Sequence, residues 1–196
     1  MQKLDTATRQ KQIVQVSLEI IKTGGIQNLT IKEISKHIGI SEQAIYRHFD
    51  NKLAILIAII QYFNEHFKHV FESSQYFGTP LQQIEKLIND HLLYFDRNPA
   101  TAAVIFSEEI FQNDSTLVDE VHKLVDRRIR FVTALIKKGQ KMGEIKDQFV
   151  PENLAYIILG TLRFFVTKWR LTNFSFSLQA RGETLSQDLI KFIRCQ

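Results

Sequence analysis

The chain has 196 residues, 44% of them hydrophobic and 23% charged, with a formal net charge of +4. At roughly 150 residues per domain this is about one to one and a half domains, with apolar material enough for a core. Three prolines and eight glycines are too few for a turn-rich sandwich or barrel. Collagen-like, disordered and disulfide-scaffold chains are excluded by the same counts.

Helical periodicity dominates from the start. Val14, Leu18 and Ile21 fall at i, i+4 and i+7, which predicts a helix over 5–23 that Gly24-Gly25 stops. Thr30 with Glu33 three residues on is a capping-box pattern opening a short second helix, and Gly39 ends it. Ser41 caps a third short helix carrying Ile45 and Phe49 on one face. Asp50 or Asn51 then caps a long fourth helix to about Ser73. The three prolines, Pro80, Pro99 and Pro151, sit where helices begin, because the first turn does not use the N–H that proline lacks. Further helices are predicted over 80–96, 99–112, 115–141, 152–171 and 183–194. The expectation is an all-α fold of about nine helices, with no strand, internal repeat or flexible linker.

Charge and aromatic residues are unevenly placed along this series. Residues 1–52 carry eight Lys/Arg against five Asp/Glu, a net +3, and 14 of the 15 Phe follow Asp50. An excess of that size is a weak nucleic-acid signal by itself. The single Cys195 cannot form an intrachain disulfide, which fits a reducing cytoplasm. MQKLDTATRQKQ has no apolar run of signal-peptide length. The longest apolar run, Leu53–Ile60, falls far short of the ~20 residues of a membrane span. A soluble cytoplasmic protein without a membrane segment is expected.

The second and third helices, joined at Gly39-Ile40-Ser41, form a helix-turn-helix candidate. Ile31, Ile34, Ile38, Ile40 and Ile45 supply the small core that fixes their angle. Such a pair presents the exposed side of its second helix to the major groove, while hydroxyls, amides and cations hold phosphates. The exposed positions of that helix are Glu42, Gln43, Ala44 and Arg47. Gln43 has the donors and acceptor to pair with adenine, Arg47 to pair with guanine, and Ala44 can touch a thymine methyl. Glu42 either accepts from cytosine or caps the helix. Phe49 reads as core, while Lys22, Lys32 and Lys36 read as solvated surface.

The stretch TIKEISKHIGISEQAIYRHFDNKLAIL, residues 30–56, resembles the N-terminal signature of the TetR family of transcriptional regulators. The resemblance rests on Thr30, Ile34, Gly39-Ile40-Ser41, Ile45-Tyr46, His48-Phe49 and Lys52-Leu53. It implies that Thr30, Ser41, Tyr46, His48 and Lys52 contact the phosphate backbone. The sequence departs from the family at Glu42-Gln43, where small or basic residues are common. The domains implied are 1–52, a DNA-binding head, and 53–196, a helical ligand-binding and dimerisation body. The family's last two long helices pair with those of a second subunit, which here places Gly160, Arg163, Leu189 and Phe192 at a dimer interface. A homodimer reading a palindromic or near-palindromic double-stranded operator follows, since one short helix reads too few base pairs.

Residues 53–196 carry no strong motif of their own. Their Phe content suggests an apolar effector pocket lined by Phe63, Phe67, Phe106, Phe111, Phe131, Phe164, Phe165 and Trp169, with ordinary core as the competing account. The effector expected is a hydrophobic or aromatic small molecule whose binding releases the operator. The basic stripe Lys123, Arg127, Arg130, Lys137, Lys138 and Lys141 reads as a solvent face. Enzyme signatures are missing: there is no phosphate-cradling glycine loop, no Gly-x-Ser-x-Gly and no His-Glu-x-x-His. His66, His69 and His91 are a weak metal signal, so no catalytic residue, metal or cofactor is assigned. Two function classes remain: an effector-released repressor, or a DNA-binding protein without an effector, acting through a protein partner or architecturally.

Overall fold

The computed structural model describes residues 5–74, 78–106 and 114–195, with backbone alone over 70–74. Among these residues are nine α-helices: α1 Thr6–Gly24, α2 Ile31–Ile38, α3 Glu42–Tyr46, α4 Lys52–Ser74, α5 Pro80–Arg97, α6 Pro99–Ile105, α7 Ser115–Lys141, α8 Pro151–Leu171 and α9 Leu178–Ile193. A 3₁₀ turn over Ile26–Asn28 links α1 to α2. The described residues contain no strand, only an isolated antiparallel bridge between Ile145 and Arg194.

The helix ends follow capping chemistry. The Asp5 carboxylate accepts from the Thr8 amide at 2.9 Å and opens α1. Asn51, rather than Asp50, accepts from the Ala54 amide at 2.9 Å to open α4. At α5 the capping box is complete, with Thr79 and Gln82 bonded reciprocally. At α2 the Thr30 hydroxyl accepts from the Glu33 amide, but the Glu33 carboxylate lies near Lys36 and His37 instead. The last helix starts at Leu178, not 183, because Ser177 caps it. Gly182 is then an interior position of close approach, where a Cβ would stand 2.4 Å from Leu92 Cδ1.

The chain forms two compact units, Met1–Phe63 with Pro99–Val121, and Asn64–Asn98 with His122–Gln196. In the first unit α1 packs on α2 and α6, and α2 on α3. Ile13, Leu29, Ile34 and Ile45 are fully buried there, each contributing about 1.5–3 kcal/mol of hydrophobic stabilisation. In the second unit α5 packs on α8 and α9, and these two on each other. Ile84, Ile88, Phe95, Ile158 and Leu162 are fully buried in that core. The bridge is reinforced by two backbone bonds at 2.9 Å, from the Lys146 amide to the Ile193 carbonyl and from the Cys195 amide to the Glu144 carbonyl.

Candidate nucleic-acid interface and the helical body

The turn between α2 and α3 is built as its residues require. Gly39 adopts φ 76°, ψ 36°, a left-handed cap that favours glycine. Its amide and that of Ile40 both donate to the Ser35 carbonyl, at 2.9 and 3.1 Å. Ile34 and Ile45 are fully buried and Phe49 nearly so, which pins α3 against α2.

The opposite side is left to solvent. Glu42, Gln43 and Arg47 are exposed, Ala44 is half-buried and Tyr46 is 49% exposed. Arg47 is the residue that closes α3. Ser41 and Thr30 are exposed caps whose oxygens accept from the Ala44 and Glu33 amides, at 3.2 and 3.1 Å. That use of a lone pair leaves each hydroxyl hydrogen to donate outward. His48 is half-buried, and its Nδ1 is buried with no hydrogen-bond partner in the structure. Lys52 differs from the rest: its Nζ donates to the Ile26 carbonyl at 3.2 Å, and burial lowers its pKa. These residues share one unit and set groove-matching groups beside phosphate-donor groups on a short capped helix.

The second unit holds a different arrangement. Arg128 is buried, its guanidinium 4.4 Å from the centroid of the Phe67 ring, a cation over an aromatic face. Phe67 meets His91 and Tyr94 edge-on at 5.3 and 5.4 Å, and His91 meets Phe95 at 4.9 Å. Burial, partly opposed by Tyr94 and reinforced by Arg127, draws Arg128 down to about 9. Burial and then the Arg128 charge hold His91 well below 6.5, so its imidazole is neutral at physiological pH.

The expected pocket residues divide. Phe63 and Phe106 belong to the first unit; Phe67, Phe131, Phe165 and Trp169 belong to the second. Phe63, Phe67 and Trp169 are buried, while Phe106, Phe131 and Phe165 are half-buried. Trp169 donates from Nε1 to the Phe176 carbonyl at 2.8 Å. Phe111 lies outside the described residues. Phe164 needs correction: it is 71% exposed and lines no interior space of its own chain. Among the described residues no group of three or more His, Cys, Asp or Glu is placed to hold a metal. No described helix is long and apolar enough to cross a membrane.

Phe164 belongs to an outer strip of α8. Ile157, Gly160, Phe164 and Leu171 recur at helical spacing, all exposed, on the side opposite buried Leu154, Ile158, Leu162 and Trp169. A Cβ at Gly160 would meet nothing within 4 Å. Arg163 is exposed beside this strip. The expected interface residues of α9 divide as well. Phe192 is 44% exposed, whereas Leu189 is 8% exposed and packs inside its own chain. Sequence reasoning also missed Arg128 as an interior residue. Its signal was present, because Arg128 stands at i+4 from Leu124 and i−4 from Val132 on the buried stripe of α7.

A glycine-turned helix pair with an exposed polar face, in a chain whose described residues otherwise form helices and their connections, defines a helix-turn-helix DNA-binding regulator. Comparison with known proteins gives the same class. Residues 13–59 match the model of the bacterial regulatory proteins of the tetR family, and residues 49–192 match that of the C-terminal region of YsiA-like proteins. The chain belongs to the TetR family of transcriptional regulators. It is 23% identical to the fatty acid metabolism regulator protein of Bacillus subtilis, over 93% of this chain and 94% of that one. It is 24% identical to the nucleoid occlusion factor SlmA of Vibrio cholerae, over 86% and 87%. Among solved structures, FadR from Bacillus subtilis in complex with stearoyl-CoA has a TM-score of 0.82 at 22% identity, over 93% and 98%. FadR from Bacillus halodurans has a TM-score of 0.83 at 20% identity, over 97% of both chains.

Proposed function

We propose that this protein is a cytoplasmic repressor that binds a near-palindromic operator as a homodimer and is released by a long-chain acyl effector. Residues 1–52 form the DNA-binding domain and residues 53–196 the effector and dimerisation domain. Gln43, Ala44 and Arg47 read bases, with Glu42 beside them; Thr30, Ser41, Tyr46 and His48 hold phosphates. The observation that carries the reading is the exposed face of α3, fixed from behind by Ile34, Ile45 and Phe49. The effector class rests on the stearoyl-CoA bound by the similar FadR and on the aromatic content of the second unit, where Phe67, Phe95 and Trp169 are buried. The dimer rests on the outer strip of α8, an apolar surface of the kind that marks association sites.

The test begins with selection of bound duplexes from a genomic pool by the purified protein. The tightest duplex is then titrated by fluorescence anisotropy with and without stearoyl-CoA. Release of the duplex, together with a raised melting temperature, is expected. An unchanged duplex affinity and unchanged melting temperature at saturating stearoyl-CoA would overturn the effector. That result would favour the second reading, a DNA-binding protein without a small-molecule effector, controlled by a protein partner or acting architecturally, to which the similarity to a nucleoid occlusion factor lends support.

A further inference from the structure

The large apolar residues left exposed are unevenly placed. Of the twelve among the described residues, seven fall between positions 150 and 192, all in the second unit, a concentration that marks an association surface. Six of the seven stand on α8 or within three residues of its ends, so the outer strip does not stop with the helix. Leu171, the last residue of α8, is 83% exposed, and three residues on Phe174 is 41% exposed. Phe174 holds an unusual conformation there. Asn173 and Phe174 have φ of 53° and 60°; asparagine enters the left-handed region readily at a helix end, a bulky aromatic residue rarely. Such a conformation persists only where its surroundings enforce it, and it concentrates where it serves function. Here the Phe174 amide donates to the Trp169 carbonyl at 2.9 Å, and its ring meets that of the buried Trp169 at 4.7 Å and 70°. Trp169 is held in turn by its Nε1 bond to the Phe176 carbonyl. Phe174 is thus fixed on one side and open on another.

We infer that Phe174 seals the end of the dimer surface: the left-handed turn after α8 holds its ring against a second copy of this chain. The inference rests on the outer strip of α8 being the dimer surface, and carries that surface past the end of the helix. A turn that glycine would adopt freely is kept at a phenylalanine, so the ring is what the turn delivers. The occupant is a second copy because the turn continues the strip and because the surface complements itself in charge. Lys168 stands four residues after Phe164, and Asp188 four residues before Phe192 on α9, both exposed and each on the helix face of its aromatic neighbour. The Asp188 carboxylate lies 3.7 Å from Lys191 of its own helix, a loose surface pair that a closer cation displaces. A two-fold axis that brings α8 of one copy to α9 of the other sets cation beside carboxylate twice. The same axis delivers one Phe174 from each copy, which closes both ends of the strip to water.

Photo-crosslinking separates the seal from the dimer it rests on. The photoreactive analogue p-benzoylphenylalanine replaces Phe174, and in separate variants Phe164 on the strip and the exposed Lys137 of α7. Each variant is mixed with isotopically labelled wild-type chain and irradiated. Covalent dimers are expected from positions 174 and 164 and only monomer from 137, with the position-174 link mapped by peptide mass to the labelled copy. A dimer from 164 but not from 174 refutes the seal and leaves the α8 dimer standing. Equal yields from 174 and 137 mark chance collision and refute it too. A dimer from neither 174 nor 164 defeats the dimer surface itself. Subunit exchange between donor- and acceptor-labelled pools gives a second measure. Phe174→Gly accepts the turn without strain and is expected to exchange about tenfold to a hundredfold faster than wild type, the effect of an apolar anchor lost from each copy, with helix content unchanged by circular dichroism. Exchange at the wild-type rate, whatever the melting temperature does, makes the ring a packing element of its own chain and overturns the inference.

Discussion

The head and the second compact unit use polar groups in opposite ways. Around α3 the polar groups point outward and the apolar ones inward, so Gln43 and Arg47 are exposed while Ile45 is fully buried. Around Phe67 a cation and an imidazole, Arg128 and His91, are buried among aromatic rings. An outward face can be described by neighbours in sequence, because a five-residue helix displays residues close together in the chain. An inward cluster gathers α4, α5 and α7, whose contributing residues lie tens of positions apart. The outward face is thus written locally here, and the chemistry of the interior is not.

Four substitutions or conditions would break or sharpen that contrast. Phe67→Ala removes a fully buried ring and the face beneath Arg128, and is expected to lower unfolding free energy by about 3–5 kcal/mol in urea titrations. A loss below about 1 kcal/mol would show that the aromatic cluster is loosely packed. Arg47→Ala leaves the fold intact and is expected to cost about 1–3 kcal/mol of discrimination at one base position, read by repeating the duplex selection. Retention of the wild-type site preference would take Arg47 out of base reading.

The third concerns pH. His91 is held well below 6.5 in the folded chain by burial and by Arg128. The unfolded imidazole therefore takes up a proton that the folded one refuses. Stability is full above 6.5 and falls as pH drops below it, by about 1.4 kcal/mol per pH unit for this one group. Urea midpoints measured at descending pH should fall less steeply for His91→Gln than for wild type. Equal slopes would mean that His91 takes up its proton as readily in the fold as in the unfolded chain. The smallest effect is expected from Ser41→Ala, about 1 kcal/mol of stability through loss of the cap, measured by thermal melting.

Much of the head was legible in the sequence because its rules are short-range. Thr30, Gly39 and Ser41 each answer a backbone requirement of the next three or four residues. Even there the spacing offers Glu33 as the return half of a capping box, whereas its carboxylate lies beside Lys36 and His37; three partners compete and spacing does not rank them. In the body, helix identity followed from periodicity but the facing of single residues did not. Phe164 and Phe165 are adjacent in sequence, yet one is exposed and the other half-buried, since 100° of rotation separates them. Leu189 and Phe192 likewise lie one turn apart on different sides of a burial boundary. The start of α9 was missed because Gly182 suits a helix only where Leu92 presses against it, a contact ninety residues away in sequence.

The backbone clasp between Lys146, Ile193, Glu144 and Cys195 bears on how the second unit opens. Helix ends usually fray, and the amides just beyond them exchange with solvent within ordinary local fluctuations. Here the amides of Lys146 and Cys195 are each engaged across the gap between the end of α7 and the end of α9. Their exchange then requires both helix ends to part together. In a hydrogen-exchange experiment these two amides should behave as a matched pair, slow and equally sensitive to denaturant, reporting a cooperative opening of the unit instead of fraying at one helix end.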